Sequence, residues 1–462
     1  PWSLSARKIK HEKNKKQITY DSAVLKIYDL PIMYFPKFFH PDPSVKRQSG
    51  LLQPKLNNSN ILGNSLTIPY YNVISEDKDN TVIVSLFDKG TKMIQNEYRQ
   101  IGKNSSLVAD LGLIRNYKPL DSKNKNVLHL FSNFNYDLNF NKFNSSKLNL
   151  TIERINNDTY LKAFDSVIEK TKAKPKNTDL LTNQLLLELD HENYEFNSGI
   201  NIYEDLTKNS NDRYQYVLPF YNYNTNVSNN FLNGVTNFSS FGSNDLNNTN
   251  NLKSKIVNDI NYIGKNFITN YGFKNNLTVS LKNLNSIGKK DSEYKSTPQV
   301  ELMGILDINT SLPLISDEKN SIKFLTPKLK LKLNPNDMKN YFDTDRKMNT
   351  STLFNSNRLG LSDTLESGRS LTLGLDYKKQ NKIDLNKFFE MKLATMFRDK
   401  EENFIPENST LGKKNSNLFG TLSNNLNEFI NVKYDFAIDN NYKEFEYNNI
   451  NTTISVNNFI TK

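Results

Sequence analysis

No cysteine occurs among the 462 residues, which excludes disulfide scaffolds, thiol nucleophiles, iron–sulfur clusters and cysteine-based zinc sites together. Histidine is nearly as scarce. His11, His40, His129 and His191 are the four, none in H-x-H or HExxH spacing, so no metal site is expected and the four read as surface or loop residues. Glycine numbers 17, proline 15 and tryptophan 1, so turns must rely on another residue type. Hydrophobic residues make up 36%, and no window reaches 18 uncharged apolar residues, which excludes a membrane-spanning helix. G-x-S-x-G, P-loop and G-x-G-x-x-G patterns are absent too. Neither a nucleophile elbow nor a phosphate cradle is present, and no cofactor is expected.

What is abundant is asparagine, 72 residues, clustered in stretches such as residues 244–251 (NDLNNTNN). Asparagine forms Asx-turns and tolerates the left-handed region, so it supplies the turns that glycine and proline do not. Aromatic residues reach 11%, which argues against a disordered polar chain. Lys and Arg number 60 against 49 Asp and Glu, a formal charge of +11. The lysines are spread evenly among acids rather than clustered on one element, so nucleic-acid binding is not expected.

Alternation with period two pervades the chain. Leu329, Leu331 and Leu333 alternate with Lys328, Lys330 and Lys332, which puts the lysines on the opposite face of a strand. Ile430 to Ile438, Phe134 to Phe140, Leu371 to Tyr377 and Leu148 to Ile152 alternate likewise. Strands of about 9–11 residues with aromatics near their ends fit a transmembrane barrel, whereas sandwich strands average about 5–6. Residues 159–176 and 180–189 are ambiguous between short helix, loop and strand. Pro31, Pro36, Pro41 and Pro43 are too dense for a regular ladder and predict a hinge between a small β unit and the rest. Pro54 and Pro69 fall in the first two strands expected after that hinge, each removing one ladder donor. The opening residues, PWSLSARKIK, show no signal peptide, and a start on Pro1 reads as a fragment.

Residues 30–52 (LPIMYFPKFFHPDPSVKRQSGLL) resemble the junction between periplasmic jelly roll and barrel in the lipopolysaccharide-assembly outer-membrane proteins, the LptD or OstA family. The block carries Pro31, Pro36, Pro43, Arg47, Gln48, Ser49 and Gly50. A second block, GNSLTIPYY with Gly63, Tyr70 and Tyr71, followed by Asp79, is similar to the next family stretch. A third, residues 353–377 (LFNSNRLGLSDTLESGRSLTLGLDY), carries Asn357, Arg358, Gly360, Asp363, Glu366, Gly368 and Arg369 in the family's order. It departs at Leu361, Ser362 and Thr364, where the family usually has small, aromatic and Arg residues. The family's disulfide latch cannot be assigned without cysteine.

The resemblance implies an all-β fold: residues 1–46 as the C-terminal end of a periplasmic jelly roll, and residues 47–462 as a large antiparallel transmembrane β-barrel, incomplete, with its last strands missing. An open sheet of that kind is not expected to insert stably by itself. It further implies a non-enzymatic outer-membrane translocon. Lipopolysaccharide would pass through a jelly-roll groove lined by Ala23, Leu25 and Ile27 into the barrel lumen, where the basic excess suits an anionic cargo, and leave by a lateral gate at Pro54 and Pro69. A plug lipoprotein inside the barrel and a periplasmic bridge protein are the implied partners. The alternatives are another outer-membrane barrel, porin or receptor, and an Asn-rich surface β-solenoid or adhesin, for which no fixed repeat is found.

Overall fold

The computed structural model describes residues 2–461 except 28–29, 46, 118–125, 169–170, 172, 209–211, 229–232, 248–249, 428 and 457–458. It is nearly all antiparallel β, 64% strand and 3% helix, as the alternation predicts. No helix among the described residues is long and apolar enough to cross a membrane. Two compact units are present.

The first unit comprises Pro1–Asn141, Ser145–Leu187 and Ile200–Gln215. It opens with a three-stranded sheet, Trp2–Glu12, Gln17–Ile27 and Leu30–Pro41 in that order. The expectation that dense prolines forbid a ladder fails here. Pro31 and Pro36 sit inside Leu30–Pro41, an edge strand whose outer side needs no donors, so the pairing survives with one shift between Leu25 and Lys26. Residues 42–49 then lead to a meander: Gly50–Leu51 and Lys55–Ser59 pair with Gly63–Ser75, followed by Lys78–Phe87, Lys92–Ile101, Ser105–Arg115, Val127–Asp137 and Ser145–Ile155. The alternation from Phe134 ends as strand at Asp137, before Phe140.

The ambiguous segments resolve in opposite ways. Leu180–His191 is a strand, while the described part of residues 159–176 contains one helical turn, Tyr160–Ala163. That turn brings Tyr160, Leu161, Phe164, Val167 and Ile168 into one apolar cluster with Phe87, Met93 and Phe131. The cluster also covers His129, which is buried rather than superficial. Its Nε2 lies 3.2 Å from Asp110 Oδ1, its Nδ1 2.5 Å from Tyr160 Oη, and its ring stacks on Phe131.

The second unit comprises Lys142–Asn144, Glu188–Gly199 and Tyr216–Lys462. Its meander runs Val235–Asn247, Asn251–Ile263, Lys274–Lys289, Gln299–Ser311, Ser321–Asn334, Gly368–Asn381, Phe388–Arg398, Leu418–Asn427, Ile430–Ile438 and Phe445–Val456, each antiparallel to the next. The longest connections, residues 335–367 and 399–417, leave from the same end, because both follow strands running in one direction.

Outside the buried apolar clusters, the usual polarity of the two faces is inverted at many strand positions in both units. In the first, Thr67, Asp79, Ser85, Gln95 and Asp110 are buried while Leu66, Leu86, Ile94, Leu111 and Leu128 are exposed. In the second, Ser280, Lys282, Asp307, Lys330 and Lys332 are buried while Leu277, Leu281, Val300, Leu302 and Leu329 are exposed. Phe164 is fully buried and Leu128 is 47% exposed. Phe164→Ala should therefore cost about 3–5 kcal/mol in thermal denaturation, and Leu128→Ala no more than about 0.5 kcal/mol.

Candidate functional site

The first two sequence blocks meet at the junction. Arg47 Nε donates to Tyr71 Oη at 2.8 Å and Nη1 to the Glu76 carbonyl at 2.8 Å, while Nη2 donates to Asp79 Oδ2. Asp79 also accepts from Arg99 Nε at 2.7 Å and from Tyr71 Oη at 3.3 Å. Ser49 Oγ accepts from the Val73 amide at 2.8 Å, and Gly50 pairs with Tyr71, so the connector is bolted to the end of strand Gly63–Ser75. The Gln48 side chain is tucked in with its Oε1 buried and without a hydrogen bond. Not every residue of these blocks takes part. Pro31 and Pro36 stay in the edge strand, Pro43 is exposed in the connector, Gly63 lies at the far end of its strand and Tyr70 points outward.

Beside this clamp the ladder breaks. Leu51 pairs with Tyr70 but Lys55 pairs with Thr67, so one extra residue is accommodated across Leu52, Gln53 and Pro54, as in a bulge. Leu52 N donates to the Pro69 carbonyl at 2.9 Å. In an antiparallel strand a residue's N–H and C=O point to the same side, so the donor that Pro69 lacks is missing from this same row. Both prolines border this break: Pro54 lies between the paired segments Gly50–Leu51 and Lys55–Ser59 rather than within a strand as the sequence suggests, and Pro69 stands opposite it in strand Gly63–Ser75. A cavity of about 470 Å³ opens at the break, lined by Leu52, Gln53, Pro69, Tyr71, Ile83 and Arg99 among others.

In the N-terminal sheet, Ala23 and Leu25 lie on one face in rows Ala6–Ala23–Phe35 and Leu4–Leu25–Met33. The Ile27 side chain lies outside the described residues. Ala23 is fully buried, so it is a floor rather than a wall of any groove there.

The third block folds into the second unit as a buried lattice of charges. Arg358 Nε and Nη2 clasp the two Glu366 oxygens at 2.6 and 2.5 Å, and the same guanidinium donates to Thr372 and Ser370 hydroxyls. Arg398 adds a contact to Glu366 Oε1 and donates to the Ser367 carbonyl at 2.6 Å. Lys332 lies 3.4 Å from Glu366 Oε2, Lys330 2.9 Å from Asp307, and Lys282 2.7 Å from Asp259. Asp363 accepts from Tyr294 Oη at 2.6 Å and from Tyr341 Oη, with Lys339 at 3.5 Å. Burial alone would raise the Glu366 carboxyl, but Arg358 and Lys332 outweigh it and hold the group well below the ordinary carboxylate range. Asn357 staples the turn by bonding the Leu361 backbone twice, and Gly360 sits in that turn before the Arg346 guanidinium. Gly368 has φ +83°, and a Cβ there would stand 2.7 Å from Arg398 Nη1, so glycine is required on both counts. Arg369 alone is left out: its side chain is exposed, and only its backbone is engaged, in the ladder with Leu333 and by the Asp399 amide.

No protein-family profile matches the chain. Among curated proteins, the LPS-assembly protein LptD of Nitrosospira multiformis is 35% identical over 112 residues, 24% of this chain and 12% of the relative. LptD of Polaromonas sp. is 35% identical over 100 residues, 22% and 12% of the two chains. LptD of Legionella pneumophila strain Paris is 26% identical over 176 residues, 36% and 21%. These matches support assignment to the LptD/OstA family. The matched stretches cover 12% to 21% of these LptD proteins' own length.

Reading the LptD-like blocks from sequence missed Arg99, Arg398, Lys332 and Arg346, which complete the two sites. A signal was available for three of them. Only 10 of the 60 basic residues are arginine, and six of those, Arg47, Arg99, Arg213, Arg346, Arg358 and Arg398, make forked or multiple bonds that lysine's point charge cannot replace.

Glu366→Gln leaves Arg358, Arg398 and Lys332 buried around a neutral amide and should cost about 3–5 kcal/mol, with new proteolysis within residues 335–367. Because the folded Glu366 carboxyl is depressed, its contribution is complete above the ordinary glutamate range and lost only as pH falls below it. Acid titration of the parent should show that loss, and E366Q should not.

Proposed function

We propose that the chain is a large part of an outer-membrane translocon that assembles lipopolysaccharide at the cell surface. The observation that carries this reading is the inverted polarity of the strands. Residues 274–289 alternate exposed Leu277 and Leu281 with buried Thr278, Ser280 and Lys282, which suits a wall with hydrocarbon outside and a polar lumen inside. A soluble sheet or solenoid would turn its leucines inward. The likeness to LPS-assembly proteins supplies the cargo.

In this reading the work is non-catalytic. Acyl chains travel along the apolar rows of the N-terminal periplasmic sheet, the sugar portion enters the lumen, and the lipid leaves sideways where Pro54 and Pro69 thin the ladder. The junction clamp of Arg47 and Asp79 keeps the sheet's exit aimed at that break. A plug lipoprotein occupies the lumen, and a periplasmic bridge protein delivers cargo to the N-terminal sheet. The inner face gives a less basic path than the composition suggests, because Lys282, Lys330 and Lys332 are each matched by a carboxylate.

Two measurements test this. Leu281→Arg places a charge at mid-strand on the outer face and should cost about 2–4 kcal/mol in unfolding from lipid vesicles. A parent that fractionates as soluble without detergent would reject the membrane reading outright. Replacing Pro54 and Pro69 with alanine in the full-length protein restores two donors, worth about 1–3 kcal/mol of closure, and should lower the open fraction roughly 5- to 150-fold. Surface lipopolysaccharide should fall at unchanged barrel abundance; unchanged delivery would remove the prolines from the gate.

A further inference from the structure

In the second unit the buried Lys282, Lys330 and Lys332 are each matched by a carboxylate, whereas nearer the strand ends exposed Lys274 and half-buried Asn309 and Ser311 remain within reach of a ligand. A cavity of about 190 Å³ lies where strands Lys274–Lys289, Gln299–Ser311 and Ser321–Asn334 run side by side, lined by Lys274, Asn276, Asn309, Ser311, Lys328 and Phe354 among others. Lys274, Asn309 and Ser311 make no side-chain hydrogen bond or ion pair among the described residues. An ammonium, an amide and a hydroxyl thus line one small, accessible space without a protein partner among the described residues. Lys328 adds a second cation, already shared with Asp376.

The cavity's aromatic member is placed with care. The Phe354 carbonyl is held by Lys330 Nζ at 2.8 Å, which anchors the start of the charged loop to the wall. Its ring lies over Gly374, where a Cβ would come within 2.7 Å of it, so the wall has been emptied of a side chain to admit the ring. Lys328 Nζ stands 5.8 Å from that ring's centroid.

We propose that this cavity is a subsite for a sugar ring bearing an anionic substituent, such as a phosphorylated amino sugar. The amide and hydroxyl groups match sugar hydroxyls, the aromatic ring offers an apolar surface to the C–H face of a pyranose, and Lys274 takes the anion. An acyl chain is the wrong occupant, because it would strand the amide and the ammonium. The inference deepens the reading above and rests on it only for the source of the sugar.

The test uses the full-length protein in detergent, titrated with glucosamine 6-phosphate, glucosamine and inorganic phosphate, with binding followed by calorimetry. Lys274→Ala should weaken glucosamine 6-phosphate at least about tenfold, the worth of one charge-assisted hydrogen bond, while barely changing glucosamine. Asn309→Ala should weaken both sugars, and Lys319→Ala, on an exposed turn outside the cavity, should change neither. Phe354→Ala should also weaken both; because it loosens the loop, the two wall variants decide the matter if it misfolds. A second arm places a photoreactive residue at position 309 in cells. Crosslinking to lipopolysaccharide identifies a lipid-borne sugar, and calorimetric binding without crosslinking identifies a free sugar phosphate. No binding by the parent, or binding untouched by Lys274→Ala and Asn309→Ala, overturns the subsite and leaves the transport reading to its own tests.

Discussion

A strand has only two faces, and in this protein the exposed one is apolar. Many of the charges that the strands carry, those of Lys282, Asp307, Lys330 and Lys332 among them, thereby lie on the buried face, where an unpaired charge is prohibitively costly. The pairing of charges on that face is consequently the condition for folding rather than a decoration. Glu366 shows how far the demand goes: one carboxylate answers Arg358, Arg398 and Lys332, drawn from a loop and two different strands.

The fold class and many strands were legible because period-two alternation survives any composition. Ile430–Ile438 is a strand over the very residues that alternate, and the lysines of residues 328–332 do lie opposite the leucines. Alternation alone does not say which face is wet, and the buried lysines needed a partner count that sequence cannot supply. Two other failures have plain causes. Dense prolines look incompatible with a ladder until one knows that the strand is the edge of its three-stranded sheet, and His129 looks superficial until a segment 31 residues later covers it with Tyr160.

The site residues divide along the same line. Arg47 and Asp79, 32 residues apart, belong to blocks that resemble successive family stretches, and the structure joins them directly. Arg99, the second cation on Asp79, belongs to no block, and neither does Arg398, since each is simply the far side of a long-range contact. Pro54 and Pro69 were visible as residues without a backbone donor, but only Pro69 lies in a strand; Pro54 falls between two paired segments, at a one-residue offset in register that the sequence does not reveal.

The loop of residues 335–367 has a consequence for the order of events in folding. It is held by Lys282, which donates to the Ser362 carbonyl, and by Lys332 and Arg398, which meet Glu366; these three enter the sheet on strands spread over more than a hundred residues of chain. Before the strand Phe388–Arg398 is in place, Glu366 would be sealed away with part of its countercharge missing, so the loop gains by staying in water. Docking therefore becomes favourable only when the neighbouring strands are complete. The loop is thereby tied to its wall: its buried carboxylate is fully matched only against the assembled strands.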